Sequence, residues 1–294
     1  MRVDVTDLKS IRVFMSVVEN HGFVGAQLEL NISPSAVSTH IKSLEDRLGL
    51  VLCHRGKRGF RLTKDGEQLN DACKTLTAAL DGFETRMSDL RNDLTGTLRL
   101  GLATNMVTDP AFSIHEVIRR FSARGDGIFI NIQTTTPDVL ERELIRNTLQ
   151  LAITPVYSQI DLLAYRPLYH ESHSIYCGHG HDLFGKTEAD LMDLNLSNFQ
   201  FVTRTYINQK DVANLPNLRR AASVSNMEAQ LMLILSGAYM GYLADHFTKD
   251  WVEKGALWRV PITTSSQTVP VCVVLRRNQP TSRLVDAFLQ DIKL

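Results

Sequence analysis

Residues 33–49 read Ser33-Pro34-Ser35-Ala36-Val37-Ser38-Thr39-His40-Ile41-Lys42-Ser43-Leu44-Glu45-Asp46-Arg47-Leu48-Gly49. Serine before proline marks a helix start: the hydroxyl caps free amides, and proline, with no amide to satisfy, suits the first helical position. Val37, Ile41, Leu44 and Leu48 recur at helical spacing and form one apolar stripe. Ser35, Ser38, Thr39 and Lys42 share the opposite face. With small hydroxyls and free amides at its leading end, such a helix can enter a major groove and meet phosphates and base edges.

On the N-terminal side, Leu8, Ile11, Met15 and Val18 mark a first helix. A shorter one, Phe23 to Leu30, ends at Asn31-Ile32-Ser33, so two helices meet across a brief turn. On the C-terminal side, Val51 to Leu62 is predicted to be a two-stranded hairpin carrying Arg55, Lys57, Arg58 and Arg61. Between residues 34 and 62 six basic residues face two acidic ones, an excess of +4 in a chain whose formal charge is +0. A uniformly basic coat is therefore excluded, and the local excess lies where a duplex would lie. The candidate DNA-binding residues are Ser33, Pro34, Ser35, Ser38, Thr39, Lys42, Arg55, Lys57 and Arg58, with double-stranded DNA as the expected partner. The plainer alternative is a small helical domain with a solvated charged rim.

Leu69, Cys73, Leu76, Leu80, Phe83, Met87 and Leu90 alternate steps of four and three. This is the seam of one long helix suited to pairing with a second copy. Asp93 to Gly96 interrupts it, and the chain then changes to strand and helix signals. Strands are expected at Leu98–Leu102, around Ile128–Ile132, and at Leu149–Ile153, Ser174–Cys177, Phe199–Val202, Tyr239–Leu243 and Val269–Val274. Asp109-Pro110 is expected to cap a helix carrying Val117, Ile118 and Phe121; Pro137 opens another, and further helices fall near Met227–Ser236 and Ser282–Ile292. Strands separated by helices favour mostly parallel sheets, as one large sheet or two small lobes.

With 44% hydrophobic and 22% charged residues, wholesale disorder is excluded. No apolar stretch reaches membrane-spanning length, and Met1-Arg2-Val3-Asp4 lacks the apolar core of a signal peptide, so a cytoplasmic protein with no membrane partner is expected. Cys53, Cys73, Cys177 and Cys272 lie far apart and are expected to be buried thiols rather than a disulfide framework.

The run from Leu8 through Phe23, Ala26, Leu30, Ser33-Pro34-Ser35-Ala36-Val37-Ser38, Ile41, Leu44-Glu45, Leu48-Gly49, Leu52, Arg55 and Leu62-Thr63 to Gly66 resembles the LysR-type transcriptional regulators. The resemblance is strong to about residue 66 and weaker beyond. It departs from the family at Gly22, where a capping serine is common, at Val24, where a threonine often meets phosphate, and at Gln27 and Thr39.

The resemblance implies an α/β architecture: an N-terminal winged helix-turn-helix over residues 1–62 and a linker helix over 63–92. A two-lobed, periplasmic-binding-protein-like effector domain follows over 93–294, divided roughly into 97–162 plus 265–294, and 163–264. It also implies a homodimer or homotetramer, an interrupted palindromic operator and DNA bending. Effectors of such sheets sit at the carboxyl ends of strands. Thr104 and Asn105, Thr135 and Thr136, and Thr203 and Arg204 occupy such ends and suit a small anion such as a carboxylate.

Gly180-His181-Asp182-Leu183-Phe184-Gly185-Lys186-Thr187 matches a phosphate-loop string, which makes a nucleotide-binding protein the alternative. Asp182 and the bulk of Leu183 and Phe184 argue against a phosphate nest. His170, His173, His179 and His181 crowd together, but an intervening strand should keep them from converging on zinc. No nucleophile elbow or catalytic grouping is readable, so no enzyme activity, cofactor or metal is expected.

Overall fold

The computed structural model describes residues 4–54, 60–90, 94–191, 194–207, 218–262 and 266–293. It separates into two compact units, Met1–Asp81 and Gly82–Leu294.

In the first unit, α1 (Val5–Glu19), α2 (Phe23–Leu30) and α3 (Pro34–Leu48) close around Phe14, Val17, Ala26, Val37, Ile41, Leu44 and Leu52, all essentially buried. Each large apolar side chain withdrawn from water contributes roughly 1.5–3 kcal/mol. The α3 boundaries follow from its sequence. Ser33 Oγ accepts the Ala36 amide at 3.2 Å, Pro34 occupies the first turn, and Gly49 ends the helix in the left-handed region at φ 68°.

Two short strands follow, β1 (Cys53–His54) and β2 (Arg61–Leu62), in antiparallel register Cys53↔Leu62. The expected hairpin is thus paired at its base, and its basic tip, residues 55–59, lies outside the described residues. Glu45 Oε1 accepts the Leu52 amide at 2.8 Å, tying the end of α3 to the hairpin. Thr63 then starts α4 (Lys64–Leu90): its hydroxyl donates to the Val51 carbonyl at 2.6 Å and accepts the Gly66 amide at 2.9 Å. Gly66 is required here, because a Cβ would sit 2.0 Å from the Leu52 carbonyl oxygen.

The α4 seam divides in a way its even spacing did not announce. Cys73 is buried, and Leu69 packs against the same α1–α3 core, so the early seam serves the chain's own head. Leu80, Phe83 and Met87 are exposed.

In the second unit, β3 (Gly96–Ala103) lies between β4 (Ile128–Thr135) and β5 (Leu151–Pro155), all parallel. Helices α5 (Ile114–Ser122), α6 (Pro137–Ile145) and, near the C-terminus, α10 (Arg283–Ile292) cover these strands around a core that includes Leu98, Leu100, Phe121, Leu140, Ile153 and Phe288. Strand β6 (Leu163–Gly178) leaves this lobe and enters a second. The second lobe contains α7 (Glu188–Leu191), β7 (Gln200–Arg204), β8 (Arg219–Val224), α8 (Met227–Leu235), β9 (Met240–Ala244), α9 (Asp245–Glu253) and β10 (Leu257–Arg259). Here β7 runs parallel to β8 and β9, with separate apolar cores around Phe201 and Tyr242 and around Leu231 and Ile234. Strand β11 (Gln267–Arg276) returns to the first lobe.

The sheet order β4-β3-β5-β11-β6-β9-β7-β8, with β10 on β6, is not mostly parallel as expected. The crossing strands β6 and β11 pair antiparallel with each other and with their lobe neighbours. Two parallel lobes joined by out-and-back strands need this reversal. A second correction concerns Asp109-Pro110. Helix α5 begins at Ile114 instead, and Asp109 closes a 3-10 turn, Met106–Thr108, with its Oδ1 accepting the Ala111 amide at 2.9 Å. Strands β8 and β10 had no readable sequence signal.

Candidate functional site

On α3 the apolar stripe faces inward, leaving Ser33, Pro34, Ser35, Thr39 and Lys42 exposed and Ser38 half-buried. Ser33 Oγ and Ser35 Oγ lie 2.9 Å apart, and the Thr39 hydroxyl donates to the Ser35 carbonyl at 2.9 Å, so these groups form an ordered polar surface. Thr39, Lys42, Ser43, Asp46 and Arg47 line a shallow cavity of about 390 Å³ along it. Arg47 contributes less to the basic excess than its charge suggests. It pairs with Asp4 at 2.8 Å and with the buried carboxylate of Asp7 at 2.9 Å. Arg55, Lys57 and Arg58 lie outside the described residues.

The strand-end residues fall into two groups. Thr104 donates its amide to the Thr135 carbonyl at 3.2 Å, because β3 and β4 end side by side. Asn105 turns into the left-handed region at φ 70°, and its side-chain nitrogen is buried with no hydrogen-bond partner. Thr136 precedes α6 and donates to Asp138 Oδ1 at 2.6 Å. In the second lobe, Thr203 and Arg204 line a cavity of about 720 Å³ with Arg220 and Ser223; the four first-lobe residues are not part of that lining. Arg204 is 2% exposed. Its guanidinium stands 5.7 Å from the ring centres of both Tyr157 and Tyr206. Tyr157 follows β5 and Tyr206 follows β7, so this buried cation sits where strand ends of the two lobes approach.

The sequence does not announce a third grouping. Asp109, Glu171 and His246 place three ligand-type atoms within 4.8 Å of one another. Glu171 and His173, two apart on β6, share one face, at the point where that strand passes from β11 to β9. His246 lies in the first turn of α9. Its Nε2 is 2.8 Å from Glu171 Oε1 and 3.7 Å from Asp109 Oδ2. His173 Nε2 meets Glu171 Oε2 at 2.5 Å. Burial opposes the Glu171 charge, but hydrogen bonds from His173 and His246, with their charges, outweigh it and lower the carboxyl to about 2. Burial, reinforced by Asp109 and Glu171, pushes the neighbouring Tyr169 phenol well above its ordinary range. A cavity of about 580 Å³ opens beside the group, lined in part by Pro110, His170, Tyr176 and Lys249.

The 180–187 loop does not form a phosphate nest. The amides of His181, Phe184 and Lys186 bond to carbonyls of the same turn, and those of Leu183 and Thr187 bond to His181 Nδ1 and Asp190 Oδ2. Leu183 is fully buried, and the following α7 is only four residues long. Of the four clustered histidines, His170 and His179 are exposed, while His173 and His181 are buried. Burial lowers the His181 pKa, only partly opposed by Asp182.

A winged helix-turn-helix head and a two-lobed α/β body with a buried cation at the lobe junction define a ligand-responsive type of DNA-binding regulator. Residues 8–67 match the bacterial regulatory helix-turn-helix protein, lysR family, and residues 91–293 match the LysR substrate binding domain. The chain belongs to the LysR family of transcriptional regulators. It is 33% identical over 287 residues to the HTH-type transcriptional activator BauR of Pseudomonas aeruginosa, covering 97% of this chain and 94% of that one. The crystal structure of CbnR, a LysR family transcriptional regulator, superposes with a TM-score of 0.66 at 16% identity, covering 97% of this chain and 98% of that one. Full-length CbnR complexed with its target DNA gives 0.62 at 17% identity over the same shares. At these identities the structural likeness speaks for the fold. Among the described residues no helix is long and apolar enough to cross a membrane.

Proposed function

We propose that this regulator grips an interrupted palindromic operator with two copies of its head. In each copy Ser33, Pro34, Ser35, Ser38, Thr39 and Lys42 meet the major groove, and Arg55, Lys57 and Arg58 meet the flanking backbone. The observation that carries this reading is the capped α3, whose polar face is ordered and open while its apolar stripe is consumed by the core. Exposed Leu80, Phe83 and Met87 on α4 supply the surface on which a homodimer or homotetramer would form. A small anionic effector, such as a carboxylate, fits the buried Arg204 and the unpartnered Asn105 amide at the strand ends. Such an effector acts by binding one lobe arrangement better than another, and so changes how the two heads are presented. This function needs no catalysis.

Fluorescence anisotropy of the full chain on duplex DNA across a salt series tests the interface. Arg55→Ala should weaken binding similarly on all sequences and flatten the salt slope by about 0.9, the value for one lost phosphate contact. Ser35 and Thr39 substitutions should instead change preference among sequences. A salt slope left unchanged by Arg55→Ala, with sequence preference unmoved by Ser35 or Thr39, contradicts the assignment.

A further inference from the structure

The Asp109, Glu171 and His246 group gathers two carboxylates and an imidazole within 4.8 Å of one another. The Thr108 hydroxyl lies 2.9 Å from the Asn105 carbonyl, which also accepts the Thr108 amide at 3.2 Å. The same hydroxyl lies 2.8 Å from His246 Nδ1. His246 Nε2 faces Glu171 Oε1 at 2.8 Å and Asp109 Oδ2 at 3.7 Å. Asp109 is 8% exposed, and its Oδ2 is buried with no hydrogen-bond partner. Two carboxylates and an imidazole thus converge in a buried space, where a bound cation would offset the carboxylate charge.

We propose that this group is a divalent transition-metal site, with His246 Nε2, Glu171 Oε1 and Asp109 Oδ2 as protein ligands and solvent completing the shell. One nitrogen and two carboxylate oxygens are a donor set that such ions accept. Ligands at 2.0–2.2 Å in a tetrahedron stand roughly 3.3–3.6 Å apart. To reach that spacing His246 and Glu171 would separate by roughly 0.5–0.8 Å, and His246 and Asp109 would close slightly. The Thr108 hydroxyl holds His246 Nδ1, and His173 holds the far oxygen of Glu171. Asp109 follows β3 in the first lobe, Glu171 lies on the crossing strand, and His246 opens α9 in the second lobe. An ion here joins the loop after β3 to the second lobe and restrains the lobes' relative movement. The inference makes no use of DNA binding or of the proposed effector, so each can fail alone.

Calorimetric titration of the chelator-stripped full chain with zinc chloride near neutral pH tests the site. One ion per chain is expected, with affinity at least tenfold weaker in Glu171→Gln and in Asp109→Asn and unchanged in His179→Ala, an exposed histidine outside the group. Zinc should also raise the melting temperature of the wild type more than that of either variant. Should Glu171→Gln fold poorly, Asp109→Asn decides, since its amide oxygen can still accept the Ala111 amide. Absence of zinc binding, or binding of equal strength in both variants and the wild type, overturns the proposal. So does a wild-type melting temperature that zinc leaves unchanged.

Discussion

Replacing Gly66 with alanine sets two effects of opposite sign against each other. Gly66 lies in the first turn of α4, where helix propensity alone favours alanine by about 1 kcal/mol. The tertiary environment opposes it. The new methyl would approach the Leu52 carbonyl oxygen to 2.0 Å and the Leu52 carbonyl carbon to 3.0 Å, and backbone cannot swing aside as a side chain can. That carbonyl accepts the Thr63 amide at 3.0 Å, and Thr63 in turn caps α4. Relieving the overlap means losing that buried bond, at about 1–3 kcal/mol, and weakening the cap, at about 1 kcal/mol. The net expectation is a loss of about 2 kcal/mol. For a head of this size that is a fall of roughly 8–16 °C in its melting temperature. Thermal unfolding by circular dichroism, paired with DNA anisotropy at the growth temperature, reads both stability and function. A Gly66→Ala chain melting at or above the wild type would refute the reasoning, because propensity would then have outweighed the close approach.

Two other outcomes follow from the body. Burial lowers the His181 pKa below 6.5, so the unfolded chain binds the extra proton first and stability falls as pH drops through that value. Urea midpoints measured between pH 7.5 and 5.5 should show this loss. His181→Asn, able to keep an acceptor for the Leu183 amide, should reduce it; an identical slope in the variant would show that another group is responsible. At the lobe junction, small carboxylates should raise the wild-type melting temperature, and Arg204→Lys, which keeps the charge but loses the planar fork, should weaken their binding about tenfold, or 1.4 kcal/mol. Equal stabilisation in the variant would remove Arg204 from the effector site.

The helix-turn-helix was legible because its signals are local. Ser33-Pro34, the Val37, Ile41 and Leu44 stripe, and Gly49 each act within a few residues, and each appears in the structure in the role its chemistry implies. Strand positions in the body were readable for the same reason, since β-branched and apolar runs need only their own neighbours. Partner direction was not readable. Strands β6 and β11 look like parallel core strands in isolation, and only the requirement to leave one lobe and return from another makes them antiparallel. The α4 seam shows the same limit: Leu69, Cys73, Leu80 and Phe83 have one periodicity, yet tertiary packing spends the first two on the head and leaves the others exposed.

By itself the sequence determined the class of the protein: a capped recognition helix, a local basic excess, a long amphipathic helix and an α/β remainder. Tertiary structure alone decided which distant residues meet. Asp109, Glu171 and His246 are unremarkable in their own segments, and 75 residues separate the last two. Periodicity reports which side of an element faces the core, whereas convergence depends on how elements from separate lobes are brought together by the crossing strands.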